Sequence, residues 1–301
     1  MVPVAGQYLA KLNSVELGYT VIGEGPPLLV VAPGWGIGSR YLQRGLAPLA
    51  VRFTVIFVDP RGSGRSGRPA DATAMSSAMM AEDIFALTQH LKLAPVDLIA
   101  HSNGGAIALA FAANHPAACG KLVLVDSQPM GFAAGEVTGQ ILARGKDDPR
   151  YRSAIRSVGS PLPETDDAFT EHLKNLLPLY FYHPKQMLPR FLQTMDDLVS
   201  AKTFHAQSAA DRAAAFNQIE MLGRIRARSL VMVGRHDWIC PLQVSQRIHS
   251  GLSSSTLDVF EFSGHFPWIE EPQRFFGSLK SFLNPLGNDQ AIARMVPLQG
   301  N

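Results

Sequence analysis

A serine becomes a nucleophile when the chain holds it at an exposed, sharply turned position and supplies a base to take its proton. The stretch Val96-Asp97-Leu98-Ile99-Ala100-His101-Ser102-Asn103-Gly104-Gly105 has the composition for such a position. An apolar run leads in, small residues (Ala100 and Gly104) stand two places either side of Ser102, and the apolar stretch from Ala106 to Ala113 follows. A strand-to-helix turn needs those small neighbours because the backbone passes close to adjacent strands and the serine's own conformation is strained. The turn would aim the hydroxyl away from a sheet. It would also set the backbone N–H of Asn103 at a helix N-terminus, where developing negative charge is stabilised. A glycine-rich helix start with an N-capping serine shares part of this pattern, but strand, spacing and helix together favour the nucleophile.

An activated serine needs a base and a group to orient that base. Leu230-Val231-Met232-Val233 runs into Gly234-Arg235-His236-Asp237-Trp238, and Val259-Phe260-Glu261-Phe262 runs into Ser263-Gly264-His265. Both read as strands that end in turns, which places Asp237 and His265 at strand C-termini, the edge where open α/β sheets build their sites. The order Ser102, Asp237, His265 is that of one hydrolase architecture and differs from the two protease orders. The chemistry implied is acyl transfer, with Ser102 attacking a carbonyl, His265 moving the proton and Asp237 holding the imidazole.

The elements that must position these groups are also legible. Short strands are expected at Gln7 to Leu12 and Val15 to Val21, and buried apolar runs recur at Leu28 to Ala32, Phe53 to Val58, Val96 to Ala100, Leu122 to Val125 and Leu230 to Val233. Runs without polar alternation suit strands covered on both faces, and Ala81 to Leu93 has helical periodicity, so a parallel α/β sheet follows. Between Ser127 and Arg228 the rhythm breaks. Helix-like pieces replace strands there, at Phe169 to Tyr182, Lys185 to Ser200 and Ala206 to Leu222, punctuated by Pro161, Pro163, Pro178, Pro184 and Pro189. The expected organisation is a core of 1–127 and 229–283, an all-helical lid of 128–228 inserted over the strands' C-terminal edge, and a polar tail of 284–301.

Composition bounds the partners. The chain has 301 residues, 27 Lys+Arg against 25 Asp+Glu, 46% hydrophobic residues and 17% charged residues. Such a length buries about three quarters of its surface on folding, so a large core forms without staples. Near-neutral charge without a basic run gives no footprint for nucleic acid or an anionic membrane. Cys119 and Cys240 lie far apart, outside any paired-cysteine or zinc spacing. No apolar run approaches membrane-spanning length and the first residues lack a basic-then-apolar leader, so a cytoplasmic chain is expected. A small-molecule substrate is the expected partner of a monomer or homodimer, with no cofactor and no metal.

With those residues in place, the stretch from about Leu28 to Leu283 resembles the α/β-hydrolase superfamily. The resemblance rests on the turn at Ser102, the strand-end acid Asp237, the Gly-His at His265 and the loop Asp59-Pro60-Arg61-Gly62-Ser63-Gly64-Arg65-Ser66. That loop is especially similar to the proline-iminopeptidase-like branch of lidded members. The resemblance implies a mostly parallel eight-stranded sheet with helices on both faces and a helical lid inserted after strand six. It also implies that the loop Ala32-Pro33-Gly34-Trp35-Gly36 holds the first oxyanion donor, the N–H of Trp35, with the N–H of Asn103 as the second. Pro33 stands where the family usually has a histidine, which alters the loop's side-chain support.

Other residues are weighed against this frame. Gly62, Gly64 and Gly67 match a dinucleotide fingerprint with Glu82 downstream, but Pro60 and Pro69 flank them and no helix opens there. Asp126 is an alternative acid, less favoured than Asp237. Asp59 and Arg61 are expected to brace their loop, and His101 and His236 to support their catalytic neighbours. The substrate pocket is expected to draw on Gly34, Trp238, Phe266, Trp268, Tyr180 and Phe181, while lid aromatics such as Tyr151, Phe169, Tyr182, Phe191, Phe204 and Phe216 mainly fill the lid's own core. The reading is an esterase or other acyl hydrolase acting on a small, largely apolar carbonyl compound. The alternatives are an aminopeptidase using a lid carboxylate (Glu164, Glu171, Asp196, Asp197 or Glu220), a non-hydrolytic cyclase or lyase, and a ligand receptor.

Overall fold

The computed structural model describes residues 3–132, 135–195, 198–214 and 217–283. Asp196, Asp197, Phe216 and the tail 284–301 therefore lie outside the described residues. Eight strands form one sheet: β1 (Gly6–Leu12), β2 (Val15–Ile22), β3 (Pro27–Val31), β4 (Thr54–Val58), β5 (Val96–His101), β6 (Cys119–Val125), β7 (Ser229–Gly234) and β8 (Ser255–Phe260). Their spatial order is β1-β2-β4-β3-β5-β6-β7-β8. The first two strands and the β2–β4 pair are antiparallel, and all later pairings are parallel.

The helices in chain order are α1 (Arg40–Gly45), α2 (Ser77–Leu91), α3 (Gly104–Asn114), α4 (Gly135–Gly145), α5 (Arg152–Ser157), α6 (Asp166–Leu176), α7 (Pro184–Leu192), α8 (Ala201–Ala213), α9 (Leu242–Gly251), α10 (Pro267–Glu270) and α11 (Pro272–Leu283). Continuous apolar strands need cover on both faces, and they receive it. Along β3, Leu29 and Val31 face a cluster with Ile84 and Leu87 of α2, Ile107 and Phe111 of α3 and Ile248 of α9. Leu28 and Val30 face the opposite cluster, with Leu42 of α1 and Phe275 and Leu279 of α11. Each such fully buried side chain contributes about 2 kcal/mol of transfer free energy.

Two features of this sheet position the site. The C-terminal ends of β5, β6 and β7 lie at one edge, with His101 beside Val125 and Val125 beside Met232, from which β7 runs on to Gly234, so the turns that follow emerge together. Between β6 and β7 the chain leaves the sheet and builds α4 to α8, with 3-10 turns at Leu177–Tyr180 and Gln218–Arg224. The loop after β4 is braced as its residue types suggest. Asp59 accepts the Ser39 and Arg65 N–H groups, and Arg61 forms a buried bidentate pair with Asp83 of α2 at 2.7 and 2.6 Å.

The structure also corrects several elements. The last strand is Ser255–Phe260, earlier than Val259 to Phe262, because its face is half exposed and lacks an unbroken apolar run. The expected helix from Phe169 to Tyr182 tightens into a 3-10 turn at Leu177, where Pro178 follows and cannot donate to the ladder. The third expected helix ends at Ala213. Helices α4 and α5 had no counterpart in the sequence reading. No helix among the described residues is long and apolar enough to cross a membrane.

Candidate active site

Ser102 follows directly on β5 with φ +57°, a left-handed conformation that a non-glycine residue adopts only under constraint. The constraint is visible in its main chain. The Ser102 N–H donates to the Val125 carbonyl at 3.1 Å, and its own carbonyl accepts Gly105 N–H at 2.9 Å and Gln128 N–H at 3.1 Å. Gly104 is required by close approach, since a Cβ there would lie 2.7 Å from the Val31 carbonyl oxygen. The neighbouring turns pack just as tightly, for a Cβ on Gly234 would lie 1.9 Å from the Gly264 carbonyl oxygen. The strand ends that carry Asp237 and His265 are thereby pressed together.

The three side chains named from sequence come to one place. His265 Nδ1 pairs with Asp237 Oδ2 at 2.7 Å, both residues buried. The other oxygen of Asp237 accepts Ile239 N–H at 2.9 Å and Cys240 N–H at 3.2 Å, which fixes the carboxylate's orientation. Ser102 and His265 both line one cavity of about 230 Å³. The His265 N–H donates to the Tyr180 carbonyl at 2.7 Å, tying the histidine turn to the helical segment. Glu270 strengthens that tie by accepting N–H groups from Tyr182, His183 and Gly264 at 3.1, 2.8 and 2.7 Å.

A family model of the alpha/beta hydrolase fold matches residues 27–272. The chain belongs to the α/β-hydrolase family. A Pseudomonas putida relative, 2-hydroxy-6-oxononadienedioate/2-hydroxy-6-oxononatrienedioate hydrolase 1, is 28% identical over 89% of this chain and 92% of its own. An esterase from Exiguobacterium antarcticum is 26% identical with a TM-score of 0.67, covering 90% of this chain and 96% of that one. A mutant of the meta-cleavage product hydrolase CumD superposes with a TM-score of 0.72 at 21% identity, over 94% and 99% of the two chains, a likeness of fold. Hydrolases and esterases are thus among this chain's relatives, and none of the relatives named here singles out the proline-iminopeptidase-like branch.

The support residues of this α/β-hydrolase have defined partners. His101 Nε2 meets the His265 carbonyl at 3.0 Å, and since a carbonyl only accepts, Nε2 carries the proton. Nδ1 then accepts the Tyr41 hydroxyl at 2.6 Å. Burial, and next the His265 imidazole, push the His101 pKa well below its ordinary value, so His101 stays neutral. His236 stacks on Tyr182 at 4.3 Å, and burial lowers its pKa too. Asp126, at the end of β6, is fully buried with its pKa raised by burial and then by Asp237. Donor atoms of Asp237, Cys240 and His265 lie within 4.8 Å of one another, the only spacing fit for a metal among the described residues. Burial, and next Asp237, hold the Cys240 thiol protonated, unlike the thiolate that metal ligation requires.

The pocket differs from expectation in its lining. Tyr180 and Phe266 face the cavity with Trp35, as their positions suggested. Gly34 instead packs against Gln207, and Phe181 and Trp268 are buried behind the wall, Trp268 against His101 at 4.8 Å. Trp238 lines a separate cavity of about 480 Å³ with Tyr151, Arg150 and Arg235. Most of the lining comes from residues the sequence reading left unassigned or gave to the lid's interior, among them Leu162, Phe169, Leu173, Leu176, Phe191 and Phe204. Phe169, Leu173, Leu176 and Leu177 share one face at i, i+4, i+7 and i+8, a readable stripe whose partner only the tertiary fold reveals.

The two expected oxyanion donors also have a definite setting. Asn103 opens α3, and its side-chain Nδ2 donates to the Pro33 carbonyl at 2.8 Å, supplying support to the loop in which Pro33 replaces histidine. The Trp35 N–H donates to Gln207 Oε1 at 2.6 Å. Gln207, on α8, is fully buried and was not anticipated, because nothing in its local sequence marks it.

Proposed function

We propose that this protein is a serine hydrolase of the esterase or acyl-hydrolase kind that cleaves a small, largely apolar carbonyl substrate. The observation that carries the reading is the shared cavity. Ser102 and His265 open into a chamber whose remaining described lining is almost wholly aliphatic and aromatic, with the far side of the imidazole held by Asp237. Ser102 Oγ attacks the carbonyl while His265 Nε2 takes its proton, then returns it to the leaving alcohol, and water repeats the sequence on the acyl-enzyme. Asp237 fixes the tautomer with Nδ1 protonated and stabilises the charged imidazole. Backbone N–H groups of Asn103 and Trp35 receive the oxyanion, the second after it exchanges away from Gln207.

The lining also selects among substrates. No Lys, Arg, Asp or Glu is among the described residues that line this cavity. The Pseudomonas relative is named for dioic acids, and a dianion requires cationic partners that this lining does not offer. An aminopeptidase requires a carboxylate for the substrate's ammonium group, yet Glu164 and Glu171 are exposed, at 86% and 67%. An uncharged ester with a compact acyl group fits the chamber best. Replacement Ser102→Ala is expected to lower turnover of p-nitrophenyl butyrate by about 10⁴-fold or more and to abolish labelling by a fluorophosphonate. Undiminished labelling of that variant would overturn the reading.

A further inference from the structure

Asp126 follows β6, as Ser102 follows β5 and Asp237 follows β7, and it is fully buried. Its backbone is held at φ +43°, left-handed for a residue that is not glycine, and its N–H donates to the Met232 carbonyl at 2.8 Å. One carboxyl oxygen, Oδ1, accepts the Gly234 N–H at 2.8 Å. The other, Oδ2, is sealed from solvent, and no N–H or hydroxyl reaches it. The same Gly234 whose N–H Oδ1 holds accepts the Asp237 N–H at 3.1 Å, which brings the turn carrying the Asp237 carboxyl against this group, and the Asp237 charge acts on it. An anionic oxygen buried against a second anion, with no donor, is an arrangement a protein does not sustain. A proton between the two resolves it, and the partners of each group decide which holds it. Asp237 already accepts two N–H groups and pairs with the imidazole, so the ionised state belongs to Asp237.

We propose that Asp126 is a permanently neutral carboxylic acid that donates its Oδ2 proton to Asp237, making it a positioning residue for the triad acid. The proposal rests on the triad reading above and adds a fourth member behind it. The charged and titratable groups around it come from three directions. Asp237 and Cys240 belong to the turn after β7, His265 to the turn after β8, and Glu270 to α10. Cys240 is held neutral by burial, and the Glu270 carboxyl accepts three N–H groups of its own. Burial and the Asp237 charge raise the Asp126 pKa in the direction the proton assignment requires. A donor on Asp237 does two things. It restrains the carboxylate against rotation away from His265, and it withdraws charge, which keeps the imidazole from becoming too basic to deprotonate near neutrality.

The sign of a pH shift separates this from the alternatives. Asp126→Asn keeps the shape, an acceptor for Gly234 and an N–H donor for Asp237. The acid limb of kcat/KM should stay within a few tenths of a unit of the parent's, and the rate within about threefold. If Asp126 were instead an anion, the same change would remove a negative charge beside the pair. The limb would then move to lower pH by about a unit, which overturns the proposal. Asp126→Ala removes the donor and leaves Asp237 more strongly anionic, so the limb should move up while kcat falls about tenfold and KM holds. A fall in kcat with no shift would mark a merely structural residue and would also overturn it. The parent protein offers a readout that does not depend on variants folding well. A deuterium-sensitive carbonyl stretch of a protonated carboxylic acid should persist at neutral pH in its infrared spectrum, a parent spectrum without it overturns the proposal, and loss of the band in Asp126→Asn assigns it. Failure of the triad itself reads differently, as full activity in Asp237→Ala or His265→Ala.

Discussion

Trp35 illustrates how far a single residue can be read. Its position in the loop after β3 suggests its N–H as an oxyanion donor only through resemblance to the family, and the acceptor that occupies that N–H, Gln207, lies 172 positions away. That partner is invisible to local pattern because it arrives by docking of α8. The bond has a functional cost, since an N–H committed to Gln207 cannot simultaneously stabilise an oxyanion. Gln207→Met keeps the volume and removes the acceptor. It is expected to raise kcat on p-nitrophenyl butyrate by about threefold to tenfold, at a stability cost of about 1 kcal/mol for the lost contact to the Ser77 hydroxyl. Steady-state kinetics with a urea melt would check both, and a tenfold fall in kcat would mean that Gln207 instead holds the loop in shape. The residues that needed only their neighbours, Ser102 with Ala100 and Gly104, and His265 with Gly264, were legible at once.

At the scale of elements, the strands with unbroken apolar runs were readable because burial on both faces leaves no alternation to misinterpret. The sheet's edge strand β8 is half exposed without an unbroken apolar run, α4 carries the poor helix formers Gly135, Gly139 and Gly145, and α5 is only six residues long, so these elements were misplaced or missed. What joins the helical segment to the sheet is a set of polar contacts without a sequence signature. Glu270 is the clearest, a half-buried acceptor that holds the segment at Tyr182 and His183 and the histidine turn at Gly264. Glu270→Ala leaves those N–H groups without their acceptor. The expected result is a loss of about 2 kcal/mol in stability and faster limited proteolysis near Tyr182. Unchanged melting and cleavage would show that the three contacts do not hold the segment.

Across the whole molecule, the division of labour follows from the order of strands. The sheet supplies Ser102, Asp237 and His265 from strand ends at one edge, while half of the residues lining the cavity come from the chain between β6 and β7. Those two strands are paired directly and in parallel, so the excursion leaves beyond Val125 at one edge of the sheet and crosses back to enter β7 at Ser229, beside Leu122. A segment that begins and ends on paired strands can be exchanged as a cassette when the replacement also spans the crossover, because the pairing of the sheet is then left untouched. A chimera that carries the corresponding stretch of the Exiguobacterium esterase on this sheet should still be labelled at Ser102 by a fluorophosphonate. Its preference among p-nitrophenyl esters of different acyl length should follow the donor, and retention of this chain's own preference would place selectivity in the sheet. Two strands lying side by side would then have let bond cleavage and substrate choice vary independently in the history of this chain.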